Sequence, residues 1–488
     1  MTSPAASSSV DASPADAPSD QKNASPLHAT ALQNDPRIAE AKRLIAEAVR
    51  EHADGLDRVA SANAQLGDSY ETITAEYVRA RGGPPLWPYF ASGLGNGPYV
   101  ELADGSVKLD FIGGIGVHGC GHSHPSIIDA GIDAAIEDTV MQGNLQQNVP
   151  SVQMLSRLLS LASQTGAPLE HGLLSTSGAM ANENALKLAF HHAQPANRVI
   201  AFDNAFAGRS IALAALTDRP SYRDGIPLAI QVDYLPFLDP HAPERSTRWA
   251  VNELKRLLAR YPKKHAAFWA EPIAGEGGYY AGSHDFFAAL CGPLREAGIP
   301  IIFDEIQTFS RTSKPFAFQH YGLESFADIV TVGKITQVCA TLYRKEFHPT
   351  SPILSQTFTG STSSIRTGLA TLDQLESRGC FGADGANMAN HQYFATQLEQ
   401  LAAKHDGLIR GPYGEGMMIG FTPGDGSLDQ AKLLMGILYD LGLLGFLCGA
   451  APVRMRFLPP PAITTTAHID AAIALLDQGL TQMKAKLG

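Results

Sequence analysis

Cysteine is scarce in this sequence and basic charge is in deficit. The five cysteines (Cys120, Cys291, Cys339, Cys380 and Cys448) are scattered and form no CxxC pair, which argues against a disulfide framework and a zinc ribbon. Lys and Arg number 37 against 48 Asp and Glu, a formal net charge of −11. A nucleic-acid or anionic-membrane surface would instead need clustered basic residues. No apolar run approaches the length of a membrane-spanning helix. No basic residue precedes Lys22 and no apolar core follows it, so a secretory pattern is lacking and the expected setting is a reducing cytoplasm. A Walker-type GxxxxGKS/T is missing, which disfavours a P-loop nucleotidase.

What is present is a long, mixed chain. Its 488 residues suggest about three units or two large ones. Residues 1–26 contain 17 Ala, Ser or Pro and no aromatic, too little apolar surface to offset the entropy of ordering, so 1–34 is expected to be a disordered tail. Asp35-Pro36 then opens a helix, a cap followed by Pro at the first helical position. Ile38, Ala41, Ile45, Ala48, Leu56 and Val59 give it an apolar face. Segment 35–120 is expected to hold this helix and part of a small domain, 121–365 a large domain, and 366–488 the rest of the small one.

Within the large domain, short apolar runs end in polar or Gly-rich clusters. Leu173-Leu174 precedes Ser175-Thr176-Ser177-Gly178, Val199–Phe202 precedes Asp203-Asn204, and Ala266–Ala270 precedes Glu271-Pro272. Ile299–Phe303 precedes Asp304-Glu305, and Ile329–Val332 precedes Gly333-Lys334. Buried strands feeding loops have this pattern, and helices between them imply parallel connections. In such sheets ligands collect beyond the carboxyl ends of the strands. No GxGxxG is expected to follow a strand, which disfavours a nicotinamide oxidoreductase. Ser177-Gly178-Ala179 opens a helical stretch, where free N–H groups and the helix dipole suit a phosphate. Lys334 ends a buried strand, a better place for a nucleophile than the surface.

In this order, Ser177-Gly178-Ala179 through Lys187, Glu271-Pro272-Ile273-Ala274-Gly275-Glu276-Gly277-Gly278, Asp304-Glu305-Ile306-Gln307-Thr308 and Ala327-Asp328-Ile329-Val330-Thr331-Val332-Gly333-Lys334 resemble the class III (ω-amino-acid) aminotransferases. The likeness runs from about Tyr99 to the C-terminus and includes Arg456-Phe457-Leu458-Pro459-Pro460. It implies an α/β enzyme of fold type I, with a mostly parallel seven-stranded-type sheet in the large domain and a smaller α+β domain. It also implies pyridoxal 5′-phosphate as cofactor and a homodimer.

The resemblance implies roles residue by residue. Lys334 would form the Schiff base and carry the proton, and Asp304 would hold the ring nitrogen protonated. Gln307 would reach the ring's phenolic oxygen, Phe206 would stack on the ring, and the N–H groups of Gly178 and Ala179 would take the phosphate. Thr357 would reach the phosphate in the neighbouring subunit. Arg209, Glu276 and Arg456 would face substrate, with Glu276 pairing with Arg456 until a carboxylate displaces it. Ala207, Met180, Ser361, Thr308–Arg311 and Ile335–Val338 depart from the family pattern, altering the pocket wall and removing no catalytic group. His118, Cys120, His122 and His124 look like metal ligands, but the family has a metal-free Gly-His-Ser-His-Pro type loop here, so no metal is expected.

The expected reaction moves an amino group from an ω-amine donor to 2-oxoglutarate. Gly333–Cys339 and Gly178–Lys187 are similar to the L-lysine 6-aminotransferase subfamily. Acetylornithine, ornithine and 4-aminobutyrate aminotransferases are alternatives, as are a same-cofactor aminomutase and a cofactor-binding protein without catalysis.

Overall fold

The computed structural model describes residues 27–85 and 87–487. At its centre lies a seven-stranded sheet. Across the sheet run His171–Ser175, Cys339–Tyr343, Ile329–Val332, Ile301–Glu305, His265–Ala270, Arg198–Phe202 and Gln231–Leu235. Every pairing is parallel except the two made by Cys339–Tyr343. The reason is the short turn 333–338 before that strand. A parallel return needs a crossover of about a dozen residues or more, so the chain can only reverse.

The central strands are apolar on both faces because helices cover both. Phe268 and Phe303 point into a cluster with Leu158, Phe286 and Leu290. Ala267, Trp269 and Ile302 point the other way, into a cluster with Leu188 and Leu213. Ile301, Ile302 and Phe303 have no exposed surface.

Two four-stranded sheets form the smaller part of the α/β architecture. One joins Ala91–Asn96, Tyr99–Leu102 and Val107–Asp110 to the distant Leu443–Leu444. The other is antiparallel and contains Ile409–Glu415, Met418–Pro423, Arg454–Phe457 and Phe446–Cys448. Leu56, Val107 and Leu109 share one apolar cluster with Phe394, Phe421, Leu438 and Leu476. Residues from both ends of the chain therefore build one core. This is the fold-type-I arrangement, a large α/β sheet with a smaller α+β part.

The N-terminal expectation needs correction. Residues 1–26 lie outside the described residues, while His28–Gln33 is helical rather than part of a disordered tail. The Ala/Ser/Pro bias stops at Pro26, and His28–Gln33 is free of Gly and Pro and includes the good helix formers Ala, Leu and Gln. Asp35 caps the next helix, Pro36–Ala53, by accepting from the Arg37 N–H at 2.8 Å. Its packed face differs from the expected one. Ala53 is buried and Lys42 pairs with Asp133 at 2.6 Å, whereas Leu44 and Ile45 are exposed.

Candidate functional site

The parallel strands deliver their carboxyl ends to one cavity of about 300 Å³. Asp304 and Gln307 come from the end of Ile301–Glu305, and Lys334 from the end of Ile329–Val332. Glu271 follows His265–Ala270, Phe206 follows Arg198–Phe202, and Gly178 and Ala179 follow His171–Ser175. Seven residues singled out from sequence therefore line it together: Gly178, Ala179, Phe206, Arg209, Asp304, Gln307 and Lys334.

Asp304 is buried. Its Oδ1 accepts from the Ile306 N–H at 2.8 Å and its Oδ2 from Asn182 Nδ2 at 2.7 Å. Burial pushes its carboxyl up to about 6, against the pull of those donors and of Lys334. Glu271 is buried beside it, and burial with the nearby Asp304 pushes it up to about 8. Its two oxygens accept from the Phe206 N–H at 3.2 Å and the Gly275 N–H at 2.9 Å. Lys334 has φ 53°, an uncommon backbone state for a residue with a side chain. Burial holds its ammonium below the usual range, while Asp304 and Glu276 oppose that.

The mouth of the Gly178–His192 helix faces the cavity. Ser177 Oγ caps it by accepting from the Met180 N–H at 3.2 Å. The first N–H groups of a helix have no intrahelical partner, so those of Gly178 and Ala179 are placed for an anion. Gln307 Oε1 is buried without a partner. A Cβ on Gly275 would come 2.5 Å from that atom, so a larger residue there would push the Gln307 amide aside. Arg209 is exposed, with its guanidinium 4.0 Å over the Tyr222 ring, and that ring meets Phe206 edge-on at 6.2 Å.

Three residues stand apart from the cavity lining. Arg456 is fully buried and its Nη2 donates to Glu276 Oε1 at 2.5 Å. Arg456 Nε and Nη1 are buried without a partner. Burial works against its charge, but Glu276 holds the guanidinium above its usual range. Thr357 is exposed and lies outside the lining. Its carbonyl packs so closely on Gly143 that a Cβ there would sit 1.8 Å from it.

The departures from the family pattern take structural work. Ser361 caps the Thr362–Ser377 helix. Arg311 is fully buried and donates to Gly116 O at 2.7 Å, and Gln337 donates to Val117 O at 2.7 Å. The two hold the 113–118 loop in place. The expectation that no GxGxxG follows a strand needs correction: Gly114-Ile115-Gly116-Val117-His118-Gly119 is such a string after the Val107–Asp110 strand, but left-handed kinks at Gly114 and Ile115 keep it from opening a long helix. His122 pairs with Asp110 at 3.1 Å and His124 caps the Pro125–Ala135 helix.

Asn182, Thr331 and Glu271 carry roles the sequence reading did not assign. Asn182 was within reach of it, since it lies one helical turn after Gly178 and shares its face. Glu271 ends a buried strand as Asp304 does, and the same signal applied to it.

The sequence pattern of the family described as aminotransferase class-III matches residues 87–480, and the chain belongs to that family. The acetylornithine aminotransferase of Methanocaldococcus jannaschii is 31% identical over 407 residues, covering 80% of this chain and 93% of that protein. The L-lysine-epsilon aminotransferase of Mycobacterium tuberculosis (strain H37Rv) is 30% identical over 412 residues, 78% of this chain and 89% of that protein. The solved structure of lysine aminotransferase from M. tuberculosis superposes with a TM-score of 0.74 at 25% identity, covering 84% of this chain and 99% of the other.

The protein is therefore a transaminase that depends on pyridoxal 5′-phosphate. The cavity fits that group. It offers a buried carboxylate for a ring cation, the unpartnered Gln307 Oε1, a helix mouth for the phosphate and a lysine for the aldehyde. When bound, the cofactor supplies an electron sink for the carbanion at the substrate's reacting carbon.

Proposed function

We propose that this transaminase takes the 6-amino group of L-lysine and passes it to 2-oxoglutarate. The observation that carries the reading is the Arg456–Glu276 pair, in which a buried guanidinium keeps Nε and Nη1 unpartnered. A terminal amine donor brings no carboxylate next to its reacting carbon, so Glu276 stays on Arg456 and compensates the buried charge. When 2-oxoglutarate enters, its α-carboxylate displaces Glu276 and takes Arg456 bidentately.

Lys334 holds and returns the proton at the reacting carbon. Its depressed basicity suits that task, because a base works best near the ambient pH. Asp304 holds the proton on the cofactor's ring nitrogen, Gln307 fixes the phenolic oxygen, and Phe206 with its Tyr222–Arg209 stack closes one ring face. Gly178 and Ala179 bind the phosphate. Thr357 serves the other subunit of a homodimer, a role supported by its exposure away from its own cavity. The five cysteines are free and buried, in keeping with a reducing cytoplasm, and among the described residues no helix is long and apolar enough to cross a membrane.

Acetylornithine is the second donor reading, favoured by the 31% identical relative. Its reacting amine is also remote from its α-carboxylate, so the same switch serves it. Both are tested by a panel of L-lysine, acetylornithine, ornithine and 4-aminobutyrate with 2-oxoglutarate, scored as glutamate formed. Lysine should give the highest kcat/KM, and a higher value for another amine overturns the lysine assignment.

A further inference from the structure

We propose that Asn182 is a positioning residue that keeps Asp304 ionised and aimed at the cofactor's ring nitrogen, and that Thr331 fixes Asn182 for that task. The proposal rests on the reading above that Asp304 faces that nitrogen.

Asn182 is 1% exposed, so each of its polar atoms needs a partner. It has them. Nδ2 donates to Asp304 Oδ2 at 2.7 Å and to Ala207 O at 2.8 Å. Oδ1 accepts from Thr331 Oγ1 at 2.8 Å. Turning the amide over would set its oxygen against two acceptors, the Asp304 carboxylate and the Ala207 carbonyl. The three contacts therefore admit one orientation. Thr331 reaches Asn182 because it lies opposite Asp304 on the adjacent parallel strand.

The direction of the effect follows from what the amide touches. A donor on a carboxylate favours its charged form, and removing it raises the proton affinity of the acid. Asp304 is 4% exposed, so its Oδ2 depends on the donors the fold places around it. Without Asn182, Asp304 would compete for the ring proton instead of holding it on nitrogen. Asn182 also lies one helical turn after Gly178, so a single helix would govern both the phosphate end and the ring-nitrogen end of the cofactor. Simple packing explains neither the polar residue in this dry position nor the orientation imposed by Thr331.

The test compares Kd values of pyridoxal 5′-phosphate and its 1-deaza analogue, which has carbon in place of the ring nitrogen. The full chain stripped of cofactor is titrated as wild type, Asn182→Ala and Thr331→Val. Wild type should prefer the natural cofactor. Asn182→Ala should lose about 10-fold or more of that preference, the scale of one hydrogen bond to a charged group. Thr331→Val should lose a smaller part in the same direction. Equal weakening toward both compounds in Asn182→Ala would mark a packing role and overturn the proposal. Should that variant not fold, an unchanged preference in Thr331→Val overturns it instead. A wild type without preference overturns the Asp304 reading beneath it, so the two failures are distinguishable.

Discussion

Glu276 occupies one edge of the Arg456 guanidinium and leaves the rest of it free. The guanidinium is thus paired on one side only, and its Nε and Nη1 are buried without a partner. Arg456→Ala should therefore slow the 2-oxoglutarate half-reaction by about 10- to 150-fold, the worth of a hydrogen bond to a charged group. The amine half-reaction should suffer less. Single-turnover kinetics of each half-reaction decide, and equal losses in both would sink the switch.

Lys334→Ala should bind the cofactor without a covalent link and lose turnover, since among the described residues no other amine lines the cavity with it. Borohydride followed by denaturation should leave cofactor attached to wild type and none on the variant. Attached cofactor in the variant would refute the assignment.

Asp304→Asn should keep the fold and cut the rate by at least about 10- to 150-fold, because a neutral partner no longer holds the ring nitrogen protonated. Near-normal turnover at saturating cofactor would count against that role.

Glu271 gives a pH prediction. Its folded-state carboxyl is pushed up to about 8 from an ordinary 4.5. Between those values the folded state binds more protons than the unfolded one, so this group makes stability fall as pH rises. At about 1.36 kcal/mol per pKa unit, the effect is on the order of a few kcal/mol. Denaturant unfolding of cofactor-free Glu271→Gln should therefore gain on wild type as pH rises from about 5 to 8. A constant difference across that range would show that Glu271 does not titrate there.

Much of the fold was legible because burial leaves a signature in sequence. Val199–Phe202, Ala266–Ala270 and Ile329–Val332 read as strands since helices cover both their faces. Gln231–Leu235 escaped, being an edge strand with only Leu235 fully buried. Cys339–Tyr343 escaped because a turn, not a helix, leads into it. In the site, residues at strand ends could be found by their place, as Lys334 and Asp304 were. Asn182 could not be tied to Asp304 the same way: the partners are 122 residues apart, and only the folded sheet brings them together.

The side-by-side setting of Asp304 and Thr331 also bears on how the chain tolerates length changes. Side chains alternate faces along a strand, so a one-residue slip of Ile329–Val332 against Ile301–Glu305 would turn Thr331 to the far side of the sheet and carry Lys334 out of reach. Insertions in exposed parts of the 312–326 connection leave that alignment untouched, whereas one deletion inside either strand misplaces the lysine and the carboxylate relative to each other. Length can therefore change at the few exposed turns of that connection, such as Lys314 and Gly322, but the sheet that carries Asp304 and Lys334 is indexed to the residue.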